Sequence, residues 1–263
     1  MNTSEFPAFA RYVGIDYSGA ATPTTPLKAL RAYVATAGGC VEVLPEPGPR
    51  KYLCRRGVAE WLARLLAEDT PTLVGIDHGF SFPSRYFEVH RLPPDWPTLL
   101  DDFERHWPTG NDHVYVDFVR HGIVGDGAQR TGSSRWRRLC EERCGAKSVF
   151  HFDVPGSVAK STHAGLPWVR FLRQQLGDRL HCWPFDGWTV PVGRSVIAEA
   201  YPKLCSGAYP MADRTRDQHD AYSLAMWLRT SDGDGSLAKA FSPDLNGALR
   251  TLGRVEGWIL GVE

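Results

Sequence analysis

The chain has 263 residues, 43% of them hydrophobic, which is enough for a sizeable core and too apolar for general disorder. Lys and Arg number 30 and Asp and Glu 30, for a formal net charge of +0, so a protein that clings to nucleic acid through bulk charge is excluded and any such contact must come from a local patch. Six scattered cysteines include no Cys-x-x-Cys pair, which argues against a zinc site and suits a reducing, cytoplasmic setting. No stretch approaches the ~20 apolar residues of a membrane span. Residues 1–10, with Glu5 and no long apolar run, do not read as a signal peptide.

Tyr12-Val13-Gly14-Ile15-Asp16 reads as a short buried strand ending on a carboxylate. Residues 27–37 read as extended, Gly38-Gly39 as a hairpin turn and residues 40–44 as the returning strand. Val58, Trp61, Leu62, Leu65 and Leu66 then fall on one face of a helix. Leu73-Val74-Gly75-Ile76-Asp77 is a second buried strand, and a helix between such strands implies a parallel pair. Residues 82–150, rich in Pro, Trp, His and Arg, read as an insertion with short helices near 98–106 and 135–143. Residues 167–176 read as a helix with Pro167 in its first turn. A third core strand covers 195–200, and a helix follows over 215–229 with Thr215 and Gln218 as a capping box and Ala221, Leu224, Ala225 and Leu228 as its apolar stripe. The tail, 237–260, adds one more helix. An antiparallel hairpin start followed by parallel strands, flanked by helices, is the RNase H-like α/β layout, here as a single domain over 1–263 with the insertion inside it.

The carboxylates follow this layout. Val13-Gly14-Ile15-Asp16 and Val74-Gly75-Ile76-Asp77 are the same tetrapeptide, each with Asp at the end of a strand, where open α/β sheets bind ligands. Glu199 ends the third core strand. Asp217 and Asp220, three apart, share the helix face that continues into the apolar stripe. Taken singly, each acid is an ordinary turn former or cap; converged, the five repel unless a cation neutralises them. An oxygen-only set favours Mg²⁺ or Mn²⁺, and two such ions ~4 Å apart would suit phosphodiester displacement.

The segments VGIDYSGA, VGIDHGFSFP, AEAYPKL and DQHDAYSLA, spread between Tyr12 and Trp227, resemble the domain-of-unknown-function family 429, regarded as RNase H-like nucleases. The resemblance implies Asp16, Asp77, Glu199 and Asp220 as catalytic metal ligands, with Asp217 in support. It does not supply a substrate.

Substrate contacts are expected from Ser18 beside Asp16, from Lys160 in the loop Gly156–Ser161, which fails the P-loop pattern, from Lys203 after Glu199, and from the basic stretch Arg130 to Arg138, with Arg130, Arg135 and the stacking face of Trp136. Arg50, Lys51, Arg55 and Arg56 form a weaker basic cluster. His219, between the acids, turns away from them on helical spacing. The expected function is a metal-dependent phosphodiester hydrolase acting on nucleic acid or a related substrate. The competing readings are a phosphotransferase or ATPase of the actin and sugar-kinase type, for which Gly14 to Gly19 would be the first phosphate loop, and a catalytically silent binding scaffold.

Overall fold

The chain begins as a three-stranded antiparallel meander: β1 (Arg11–Asp16), β2 (Arg31–Thr36) and β3 (Gly39–Glu42). The computed structural model describes residues 8–263, so most of the segment read for a signal peptide lies outside the described residues. β4 (Thr72–Ile76), β5 (Leu180–Cys182) and β6 (Ser195–Glu199) complete a mixed sheet of order β3-β2-β1-β4-β6-β5, with β4 parallel to β1 and β6, and β5 parallel to β6. The antiparallel start, the turn before Gly39 and the parallel continuation agree with the sequence reading. The three-residue edge strand β5 was not anticipated; it is too short to carry a period.

Strand periodicity divides the core into two faces. Val13, Ile15, Val74, Ile76 and Ile197 pack against α1 (Arg55–Leu66) and α6 (Ala159–Leu176). Tyr12, Leu73, Val196 and Ala198 pack against α7 (Arg216–Gly233), whose buried Ala221, Ala225 and Leu228 match the expected stripe. The helix lies close because Gly14, Gly75 and Ala198 are small and level with one another across three strands. A Cβ on Gly14 would collide with the Ala221 carbonyl oxygen and stand 2.5 Å from the Ala225 nitrogen. The predicted capping box is present: Thr215 Oγ1 accepts from the Gln218 N–H at 3.3 Å, and Gln218 Oε1 accepts from the Thr215 N–H at 3.0 Å.

Some expected boundaries shift. α6 starts at Ala159, so Pro167 lies inside the helix rather than in its first turn. Proline has no N–H for the His163 carbonyl four residues back; the buried Thr109 hydroxyl donates to that carbonyl instead, at 2.5 Å. The tail forms two helices, α8 (Leu237–Ala240) and α9 (Gly247–Glu256), because Ser-Pro-Asp intervenes and Asn246 caps a new start by accepting from the Leu249 N–H at 2.9 Å.

The inserted segment carries α2 (Ser84–His90), α3 (Trp96–His106), α4 (Val116–Arg120) and α5 (Leu139–Cys144). The helix expected over 135–143 begins only at Leu139. Phe82, Trp96, Phe103, Trp107 and Phe150 join the same buried cluster as Val13 and Ile15, so the segment extends the sheet's core. No helix among the described residues is long and apolar enough to cross a membrane.

Candidate active site at the carboxyl ends of the strands

β1 and β4 pair in parallel with Val13 level with Val74, Gly14 with Gly75 and Ile15 with Ile76. One step further, the Asp77 N–H donates to the Ile15 carbonyl at 2.9 Å. Asp16 and Asp77 therefore stand side by side, Asp16 among Asp77, Asp217 and Asp220, and Asp77 between Glu199 and Asp220. From α7, Asp217 and Asp220 approach the same strand end. Burial, then the charges of Asp77, Asp217 and Asp220, push Asp16 up to about 9. Burial, then Glu199 and Asp220, push Asp77 up to about 8. Burial also raises Asp220, against the pull of Arg216, whose Nε lies 3.9 Å from its Oδ2.

These acids differ from others in the core. Asp232 accepts from the N–H groups of Ala8 and Phe9 and from the Tyr12 hydroxyl, and Glu256 accepts from the N–H groups of Ser84 and Leu139. Asp16, Asp77 and Asp217 make no side-chain hydrogen bond or ion pair among the described residues. The acids are near neighbours without closing on a point: among the described residues no three His, Cys, Asp or Glu side chains form a group that would hold a metal ion. The donor set is all carboxylate oxygen, the chemistry that hard divalent ions take.

Glu199 differs from the other expected ligands in having a buried ion-pair partner. It is level with Ile76, not with Asp77. The position on β6 that corresponds to Asp77 is Ala200, whose N–H donates to the Ile76 carbonyl at 3.0 Å. A single residue's offset reverses the face, so Glu199 turns toward the inserted segment. There Arg138 Nη1 and Nη2 donate to its Oε2 and Oε1, each at 2.6 Å, and the Phe80 N–H donates to Oε2 at 3.3 Å. Glu199 is thus held by Arg138 and shares a cavity with Asp77, whose carboxyl its charge raises.

The expected substrate contacts divide in the same way. Arg130 forms a two-pronged ion pair with Asp102 and braces α3, which removes it from recognition. Arg138, the end of the basic stretch, is fully buried, whereas Arg135 and Arg137 are exposed. Trp136 is half-buried, edge-on to Phe150 at 6.3 Å, so it is part of the packing and not a free stacking face. Lys160 is held by Asp117 at 2.6 Å and Tyr115 at 3.2 Å. Lys160 and Thr162 lie in the first turn of α6 rather than in the expected loop, and Thr162 accepts from the Gly79 N–H at 2.9 Å, which braces the strand end. Ser18 accepts from the Ala20 N–H at 3.4 Å within the loop after Asp16, and Lys203 is exposed just beyond β6. His219 is buried and bonds the Ser206 carbonyl at 3.1 Å.

One residue was missed. Arg55, read as part of a weaker basic cluster, is fully buried and donates to the carbonyls of Ser18, Ala20 and Ala21, which fastens the loop that follows Asp16. Its signal was its place beside Val58 at the start of the amphipathic face of α1. The fold and site thus define a mixed α/β protein with carboxylates at adjacent strand ends that have no partner among the described residues. No protein-family model, curated protein or solved structure matches the chain.

Proposed function

We propose that this chain is an RNase H-like, divalent-metal-dependent phosphodiester hydrolase, with Asp16, Asp77 and Asp220 as its central acids and Asp217 in support. The observation that carries the reading is the β1–β4 register, which sets two partnerless carboxylates level at a strand end faced by two more. Keeping such acids together is costly unless a cation compensates them. Mg²⁺ or Mn²⁺ would supply that charge, polarise a phosphate oxygen and lower the pKa of a water.

The chain's own residues prepare for this. Arg55 fixes the loop after Asp16, and Thr162 fixes the loop after Asp77, so both carboxylates sit on braced backbone. Arg135, Arg137 and Lys203 are exposed cations, the first two adjoining the segment that reaches Glu199, and suit a polyanionic substrate such as nucleic acid. Six free cysteines accord with a reducing, cytoplasmic compartment.

The test is a panel of labelled single-stranded, duplex and branched DNA and RNA incubated with Mg²⁺ or Mn²⁺. Metal-dependent cleavage lost in Asp16→Asn and Asp77→Asn is expected. Cleavage that persists in both variants, or none on any substrate, would overturn the proposal. ATP binding without cleavage would favour the phosphotransferase reading instead.

A further inference from the structure

A small cavity lies in the core between the sheet, α1 and α6, lined by Tyr17, Arg55, His78 and Trp168 and otherwise by apolar side chains such as Ile15 and Leu62. It measures ≈ 10 Å³, room for one water molecule or one monatomic ion. Three polar atoms of its lining, the Tyr17 hydroxyl, Arg55 Nε and Trp168 Nε1, are buried without a hydrogen-bond partner among the described residues. Their residues are 8%, 0% and 9% exposed. Orphaned buried donors are costly and uncommon. Guanidinium and indole N–H groups only donate, so whatever satisfies Arg55 and Trp168 here must accept at least two hydrogen bonds. A water and an anion both can.

Charge separates the two. The other nitrogens of Arg55 donate only to the neutral carbonyls of Ser18, Ala20 and Ala21. The ionisable groups that act on it are Tyr17, Cys54 and Tyr115, and none is a carboxylate. Burial pushes Tyr17 up, so its hydroxyl keeps its proton. His78 bonds the Gly79 carbonyl through Nδ1 at 2.9 Å, and burial lowers it to about 4, so it is neutral at pH 7. Arg55 is also the first residue of α1, whose first turn holds no acid, so the helix dipole adds positive potential. Arg56, 5.6 Å from the Trp168 ring, brings a second cation, and its own partner is the exposed Asp112. A buried guanidinium without a counter-charge is unfavourable, and a water would not neutralise it.

We propose that this cavity is a site for one monatomic anion, chloride, held by Arg55 Nε, Trp168 Nε1 and the Tyr17 hydroxyl. Polyatomic anions such as phosphate and sulfate are too large for it. Tyr17 follows Asp16 directly, and Arg55 fastens the loop Ser18 to Ala21, so the anion would steady the backbone that carries Asp16. The inference is independent of the reaction that the strand-end acids perform.

The experiment uses the full chain exchanged into sodium gluconate, whose anion cannot enter the cavity, and titrated with sodium chloride or bromide at constant ionic strength. Above Kd, each tenfold increase in halide should raise Tm by roughly 3–5 °C. Tyr17→Phe and Trp168→Phe keep an aromatic ring and remove one donor each, and each should raise Kd about tenfold or more. A crystal grown in bromide should show an anomalous peak between Arg55, Tyr17 and Trp168. Equal Tm in halide and gluconate, or no bromide peak in the cavity, would overturn the proposal and make the occupant a water. A halide effect undiminished in both variants would overturn it by placing the ion elsewhere. Should the variants fail to fold, the wild-type titration and the bromide crystal decide.

Discussion

Asp16 and Asp77 stand level at the ends of neighbouring parallel strands, tied by the bond from the Asp77 N–H to the Ile15 carbonyl, 2.9 Å long. Their closeness has a consequence for stability. Raised to about 9 and about 8, both hold protons in the native state that the unfolded chain has already released. Stability contributed by such groups is lost as pH rises toward those values. His78 and His163 act in the opposite sense: burial lowers them to about 4 and about 3, so their contribution grows with pH up to ~6.5 and is flat above it. Between about pH 7 and 9, metal-free protein should therefore lose stability with rising pH, at up to ~1.4 kcal/mol per pH unit for each carboxyl still protonated. Asp77→Asn should flatten that slope and raise Tm at pH 8. Thermal melts across the window check this; a flat or rising wild-type curve would contradict it.

Divalent metal should reverse the slope, because it binds the ionised native site. At 100 times Kd, the gain is ~2.7 kcal/mol, or roughly 5–10 °C in Tm for a chain of this size. Asp16→Asn and Asp77→Asn should each abolish the shift, measured as Tm with and without Mg²⁺ at pH 8.

Gly14 sets how closely α7 approaches β1. Gly14→Ala places a methyl against the backbone of Ala221 and Ala225, which cannot rotate away. A cost of about 3 kcal/mol or more is expected, together with loss of the metal-dependent Tm shift as Asp217 and Asp220 are pushed outward. At Gly75 the nearest atoms are the Ala200 Cβ at 3.0 Å and the Leu228 Cδ1 at 3.2 Å, both side-chain atoms, so Gly75→Ala should cost less. Denaturant unfolding of the two variants tests the ranking.

Thr109 does the work of the N–H that Pro167 lacks. Thr109→Val leaves the His163 carbonyl buried without its donor and should cost about 1–3 kcal/mol. In a Pro167→Ala background the restored N–H can serve that carbonyl, and Thr109→Val should then cost markedly less. A double-mutant cycle measures the coupling; additive effects would mean the hydroxyl contributes only packing.

Arg135 and Arg137, without Arg138, are the residues to test for substrate recognition. Replacing both by Ala should weaken nucleic-acid binding and flatten the log–log salt slope by roughly 0.7–0.9 for each lost phosphate contact, while leaving the metal-dependent Tm shift intact. An unchanged slope would make the pair a solvated surface.

The sequence by itself determined the elements whose signals are local. The hairpin, the apolar strands, the amphipathic α1, the capped α7 and the carboxylates of Asp16, Asp77, Asp217 and Asp220 all follow from residues within a few positions of one another. The face of Glu199 was also written there, in a subtler form. The small residue that admits α7 is second in Val13-Gly14-Ile15-Asp16 and in Val74-Gly75-Ile76-Asp77 but third in Val196-Ile197-Ala198-Glu199, which puts Glu199 one step out of phase. What only the tertiary structure decided is which charges are spent inside the fold. Arg138 meets Glu199 across 61 residues, Arg130 meets Asp102 across 28, and Arg55 reaches the Ser18 carbonyl across 37. A basic side chain looks the same in sequence whether it faces solvent or a buried carboxylate, because its partner is chosen by chain segments brought together only when the core closes.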